Sequence, residues 1–182
     1  MILRASYAKP AWRTVKVDLD FSIHAGATRV ESTLTIERWA SAAGSAAPLV
    51  LDRGAAEVMR LVSVAVDGAP AAHELSAEAL TLTPPPAAAA AGKFVVHVVT
   101  EVNAEANSAL EGLYFSGGSY VTQCEATGFR SITFAQVRAA AAGGGAGCGG
   151  GRRAPRAAAK CRADASPACR RPPLLRRTGP TS

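Results

Sequence analysis

Aromatic residues make up only 5% of the 182 residues. Four cysteines are present, and no two stand as a Cys-x-x-Cys pair. There is no His-Glu-x-x-His string, no Gly-x-Ser-x-Gly elbow and no Asn-x-Ser/Thr acceptor. Catalytic zinc and serine-hydrolase chemistry therefore lack their usual carriers. Long apolar runs are missing too. The alanine stretch from Ala87 is broken by Gly92, Lys93 and His97, well short of the about 20 residues a spanning helix needs. The N-terminus lacks the apolar centre of a secretory signal. No membrane partner is expected. A reducing, cytoplasmic location is expected, with Cys124 a free thiol.

Acidic residues are nearly absent from the last quarter, and that absence divides the chain. Residues 137–182 hold ten Lys and Arg against one acid, Asp164, a net of +9, whereas residues 1–136 carry a net of −3. In the last quarter Ala, Gly, Arg and Pro fill 34 of 46 positions. Such a segment buries too little apolar surface to offset chain entropy, so it reads as a disordered tail. Cys148, Cys161 and Cys169 lie in it without a nearby histidine, which argues against zinc. Gly145, Gly147 and Gly150 spell Gly-x-Gly-x-x-Gly, but behind an alanine run rather than a strand, so a dinucleotide loop is discounted.

Residues 1–136 read as β structure. Val15, Val17, Leu19, Phe21 and Ile23 alternate with polar residues, as do Val30, Leu34 and Ile36 after a turn at residues 24–27. This period of two marks half-buried strands and a hairpin. Residues 48–51, 61–66 and 80–83 add short strands, with Asp67-Gly68 as a hairpin turn and Pro84, Pro85 and Pro86 as a stop. Residues 94–102 are rich in β-branched types. Residues 112–115 and 120–124 flank a Ser116-Gly117-Gly118 turn. Short strands at this spacing predict an all-β, antiparallel β-sandwich. His24, His73 and His97 stand apart from one another and from the cysteines, and read as surface or packing residues. Trp12 and Trp39 read as packing residues.

One stretch carries more information. Asn107-Ser108-Ala109-Leu110-Glu111-Gly112-Leu113-Tyr114 is followed by Thr122-Gln123-Cys124-Glu125-Ala126-Thr127-Gly128-Phe129-Arg130-Ser131-Ile132-Thr133-Phe134. These strings closely resemble the N-terminal domain of the aminopeptidase N family, the alanyl aminopeptidases among the gluzincin zinc metallopeptidases. Tyr7-Ala8-Lys9-Pro10 and Val17-Asp18-Leu19-Asp20-Phe21 extend the resemblance, which runs through almost all of residues 3–136.

The resemblance implies a saddle-like β-sandwich packed on a catalytic domain. It implies that Gln123 and Glu125 bind the free α-amino group of a peptide in the intact enzyme. On a strand, residues two apart face the same side, so Gln123 and Glu125 are expected to share a face and Cys124 to oppose it. The alternative is that Glu125 pairs with a neighbour such as Arg130. The family's zinc ligands and general base lie on a His-Glu-x-x-His motif and a downstream Glu, which this sequence lacks. The chain alone is therefore expected to hold no zinc and to have no peptidase activity.

After Phe134 the family continues differently, whereas this chain reads Ala135-Gln136-Val137-Arg138 and then turns to Ala and Gly. Ala, Gly, Arg and Pro are the residues whose codons carry G or C at the first two positions. The tail is thus expected to be translated from a GC-rich retained intron. A competing reading makes the chain a stand-alone binding module. In it, Arg152-Arg153, Arg170-Arg171 and Arg176-Arg177 form a polycationic arm for RNA or anionic surfaces. No aromatic residue interleaves these arginines, which argues against a nucleic-acid partner.

Overall fold

The computed structural model describes residues 10–39 and 47–136, and the backbone of 157–162. Eleven strands, one short α-helix and a 3-10 turn are described. Strands β1 (Trp12–Ser22) and β2 (Thr28–Arg38) form the expected hairpin. β3 (Leu49–Asp52), β4 (Met59–Val66), β5 (Ala69–Pro70), β6 (His73–Leu75) and β7 (Ala79–Leu82) follow. Helix α1 (Pro86–Ala91) leads into β8 (Lys93–Val102). β9 (Gly112–Ser116) and β10 (Ser119–Gln123) make a second hairpin, and a 3-10 turn spans Gly128–Ser131.

The large sheet runs in the order β11-β1-β2-β8-β4-β5, and a smaller one in the order β3-β7-β6. Its outermost member, β11 (Ala157–Arg162), lies parallel to β1, with Val17 opposite Ala157 and Ser22 opposite Arg162. Nothing in the composition of that segment asks for a strand. The other residues read as tail lie outside the described ones.

Alternation explains the sheets. In β2, Thr28, Val30, Ser32, Leu34 and Ile36 are buried, and the residues between them are half-buried. In β1 the alternation changes phase: Trp12 is buried, and so are Val17, Leu19 and Phe21. An irregularity between Thr14 and Lys16 inserts one extra residue, which turns an even and an odd set to the same face. β4 repeats the device between Leu61 and Ser63, so Met59 and Val64 both point inward. Both sheets feed one apolar core, in which Leu34, Ile36, Val96 and Val98 of the large sheet join Leu49, Leu51, Leu80 and Leu82 of the small one.

Trp12 is a packing residue: its ring meets Phe94 edge-on at 5.0 Å, and its indole N–H donates to the Ala47 carbonyl at 2.8 Å. Residues 131–136 then close the core. Ile132 and Phe134 are buried. Two buried hydroxyls of the large sheet hold this segment: Ser32 Oγ lies 2.8 Å from Thr133 Oγ1, and Thr100 Oγ1 donates to the Ile132 carbonyl at 3.0 Å. Ala135 exchanges two main-chain bonds with Asp52.

The candidate substrate-amine site

The site is built from the loop before β9 outward. Asn107 is buried, and its amide nitrogen donates to the carbonyls of Glu111 at 2.7 Å and Leu113 at 2.9 Å. One side chain thus folds residues 107–113 into a tight loop. Gly112 sits there at φ +74°, and a Cβ on it would lie 2.8 Å from Ser131 Cβ. β9 and β10 pair from Ser116↔Ser119 at the turn to Gly112↔Gln123 at the open end. The register therefore delivers Gln123 to the glycine that the Asn107 loop holds.

β10 ends at Gln123, and residues 125–127 form a turn. The alternation expected through residue 125 therefore does not operate: Glu125 is directed by the turn, not by a strand. The Glu125–Ala126 peptide is cis. Behind this turn, Gly128 begins the 3-10 turn so close to β10 that a Cβ on it would meet the Gln123 carbonyl oxygen at 2.4 Å. Gly54 meets the same turn from a third direction: its N–H donates to the Arg130 carbonyl at 2.7 Å, and a Cβ on it would meet Ser131 Oγ at 2.2 Å. Three backbones cross here at distances only glycine permits.

On this support Gln123 and Glu125 are both exposed. No ion pair joins Glu125 to Arg130 among the described residues, so the carboxylate is open to a ligand. A carboxylate and an amide oxygen can each accept a hydrogen bond from an ammonium, the charged bond being the stronger. Cys124, between them, is half-buried and packs against the core. Burial pushes its thiol pKa up, away from the thiolate a nucleophile would need.

The donor set does not fit zinc. Among the described residues no group of three His, Cys, Asp or Glu could hold a metal ion. His24 and His73 are exposed, and His97 stands on the outer face of the large sheet, 3.9 Å from Glu31. Also among the described residues, no helix is long and apolar enough to cross a membrane.

No family model matches the chain. Individual proteins do. The chain is 42% identical to aminopeptidase N of Caulobacter vibrioides over 119 residues, which is 64% of this chain and 12% of that protein. It is 36% identical to aminopeptidase N of Escherichia coli over 132 residues, 72% of this chain and 14% of that protein. The chain thus spans about one eighth of the length of these relatives. Among solved structures, Legionella pneumophila aminopeptidase A superposes with a TM-score of 0.61 at 21% identity, covering 72% of this chain and 15% of that one. A Deinococcus radiodurans M1 zinc metallopeptidase superposes with a TM-score of 0.52 at 17% identity, covering 69% of this chain and 29% of that one. The structural matches establish the fold, the sequence matches establish the kinship, and together they make this chain a member of the aminopeptidase N family corresponding to its N-terminal β domain.

Proposed function

We propose that residues 1–136 act as the amine-recognition domain of a zinc-dependent aminopeptidase that removes N-terminal residues from peptides, with 137–182 a C-terminal tail that lends β11 to the large sheet. In this reading Glu125 takes the charged hydrogen bond from the substrate's α-ammonium and Gln123 the second. Holding that ammonium at one place sets how far the first peptide bond lies from the reacting centre, so one residue is removed at a time. The observation that carries the reading is the exposed, unpaired Glu125, two residues after the exposed Gln123, with the three-glycine junction behind them. The zinc and the base that activates water belong to a catalytic domain, which is the natural packing partner of this one. Leu110, Phe115 and Val121 are large apolar side chains exposed on and beside the β9–β10 hairpin, a face suited to such a partner. A cytoplasmic location belongs to the same reading, supported by the unpaired Cys124.

The test is a chimera in which residues 10–136 replace the matching part of the Caulobacter enzyme. Glu125→Ala in it is expected to lower kcat/KM about 10- to 100-fold, the loss of one charge-assisted hydrogen bond. An active chimera indifferent to Glu125→Ala would refute the assignment.

A further inference from the structure

We infer that the outer edge of β1 is a strand-acceptor edge, and that the chain fills it with its own segment Ala157–Arg162. This rests on β1 and its neighbours, not on the amine site.

β1 is an eleven-residue strand, paired with β2 on one side. A long strand with an open second side presents a row of free N–H and C=O groups, which is a template for another strand. The orientation of these groups is fixed at the start of β1. The Ala11 carbonyl accepts from Trp39 N–H at 2.9 Å, so it points toward the β2 side. Trp12 and Thr14 alternate with Ala11 along the chain and point the other way.

Their partner is a side chain. Gln136 Nε2 donates to the Trp12 carbonyl at 2.8 Å, and Thr14 N–H donates to Gln136 Oε1 at 3.1 Å. A primary amide offers one donor and one acceptor side by side, so it stands in for a stretch of neighbouring strand. The edge is thus already occupied, in strand fashion, where the β domain ends.

The occupation then continues along the same strand. Beyond the irregularity at Thr14/Lys16, Val17 through Ser22 pair in unbroken parallel register with Ala157 through Arg162. The direction agrees with the chain path. Gln136 sits at the start of β1, Ala157 opposite Val17, and Arg162 opposite Ser22.

Alanine is depleted in strands, so a segment that begins Ala157-Ala158-Ala159 has little reason to extend by itself. The edge imposes the conformation. The acceptor edge therefore takes a short, extended, small-residue segment through main-chain bonds. A tethered segment meets it at high effective concentration.

The experiment compares the full chain with its Ala158→Pro/Ala159→Pro variant. Successive residues of a strand point their N–H groups to opposite sides, so one of the two prolines removes a ladder donor. Amide exchange across Val17–Ser22 is expected to speed up about tenfold or more in the variant at the outward-pointing positions, with β2 and β8 amides unchanged. Equal rates across Val17–Ser22 in both proteins would overturn the inference. A second measurement needs no variant: backbone NOEs between Leu19 and Ala159 are expected in the unaltered full chain. Their absence in spectra that show the β1–β2 NOEs overturns the inference. So does their appearance only between differently labelled copies in a mixed sample, which assigns the edge to a second copy.

Discussion

Gly128 has no side chain, and the carbonyl of Gln123 lies where one would be. A methyl group there would stand 2.4 Å from that oxygen and 3.3 Å from its carbon. Both belong to the backbone, so neither can swing aside as a flexible side chain would. Gly128→Ala is expected to cost about 1–3 kcal/mol, the range for forced overpacking, read as a lower urea midpoint. Gly26 is the control: it needs a positive φ of +77° but has open space around it. Gly26→Ala is expected to cost about 1 kcal/mol from backbone strain alone. A Gly128→Ala protein as stable as its parent would show that β10 can back away, and the rigid support argued for Gln123 would fall. None of this was visible in the sequence. Gly128 stands in a recognisable string, but its neighbours are Gln123 and Gly112, which only folding brings together. Glu125 was legible as a residue of interest, and its freedom from Arg130 was not, because both readings fitted one spacing.

At the scale of elements, alternation placed the long strands correctly and erred in phase. Val15 was expected on the core face with Val17, yet it is only half-buried, and Trp12 takes the inward place beyond the bulge. A single extra residue shifts parity without changing composition, so no count of alternating residues detects it. α1 was read as the stop after a strand. The signals were present: proline in the first turn and Gly92 as a left-handed C-cap at φ +70°. With six residues the helix is too short for a periodic pattern to reveal it.

The outer face of the large sheet carries a cross-strand cluster. Glu37 on β2 lies 3.1 Å from Arg13 on β1 and 3.3 Å from Lys93 on β8. Hydrogen bonds from Lys93 and then Arg13 hold the Glu37 carboxyl below its ordinary value of 4.5. A lowered folded-state pKa means that the unfolded chain binds the proton first. The stabilisation is therefore present above pH 4.5 and is lost as pH falls through the folded value. Glu37→Gln is expected to flatten the acid limb of the stability–pH curve while leaving the neutral region almost unmoved, since exposed pairs contribute little. Acid titrations followed by circular dichroism check it. Parallel curves for parent and variant below pH 4.5 would contradict the assignment.

At the scale of the whole molecule, chemistry and architecture separate. The described residues carry an exposed Gln123 and Glu125 and no metal-binding group. The purified chain, given zinc and an aminoacyl reporter substrate, is expected to show no turnover above buffer. Zinc-dependent turnover that a chelator abolishes would overturn the division of labour proposed here. By itself the sequence determined the β class, the break in composition after Gln136 and the kinship with aminopeptidase N. Period-two patterning, charge and motif strings are local properties, and each can be read from residues close together along the chain. Only the tertiary structure decided that Gln123 ends its strand and that three glycines cross behind it. Only it showed that the Gln136 amide continues the β1 ladder, beside the strand that follows along that edge. Those facts depend on pairs far apart in sequence, such as Gln136 with Trp12 and Thr133 with Ser32. Their distances are set by how two sheets close over one core.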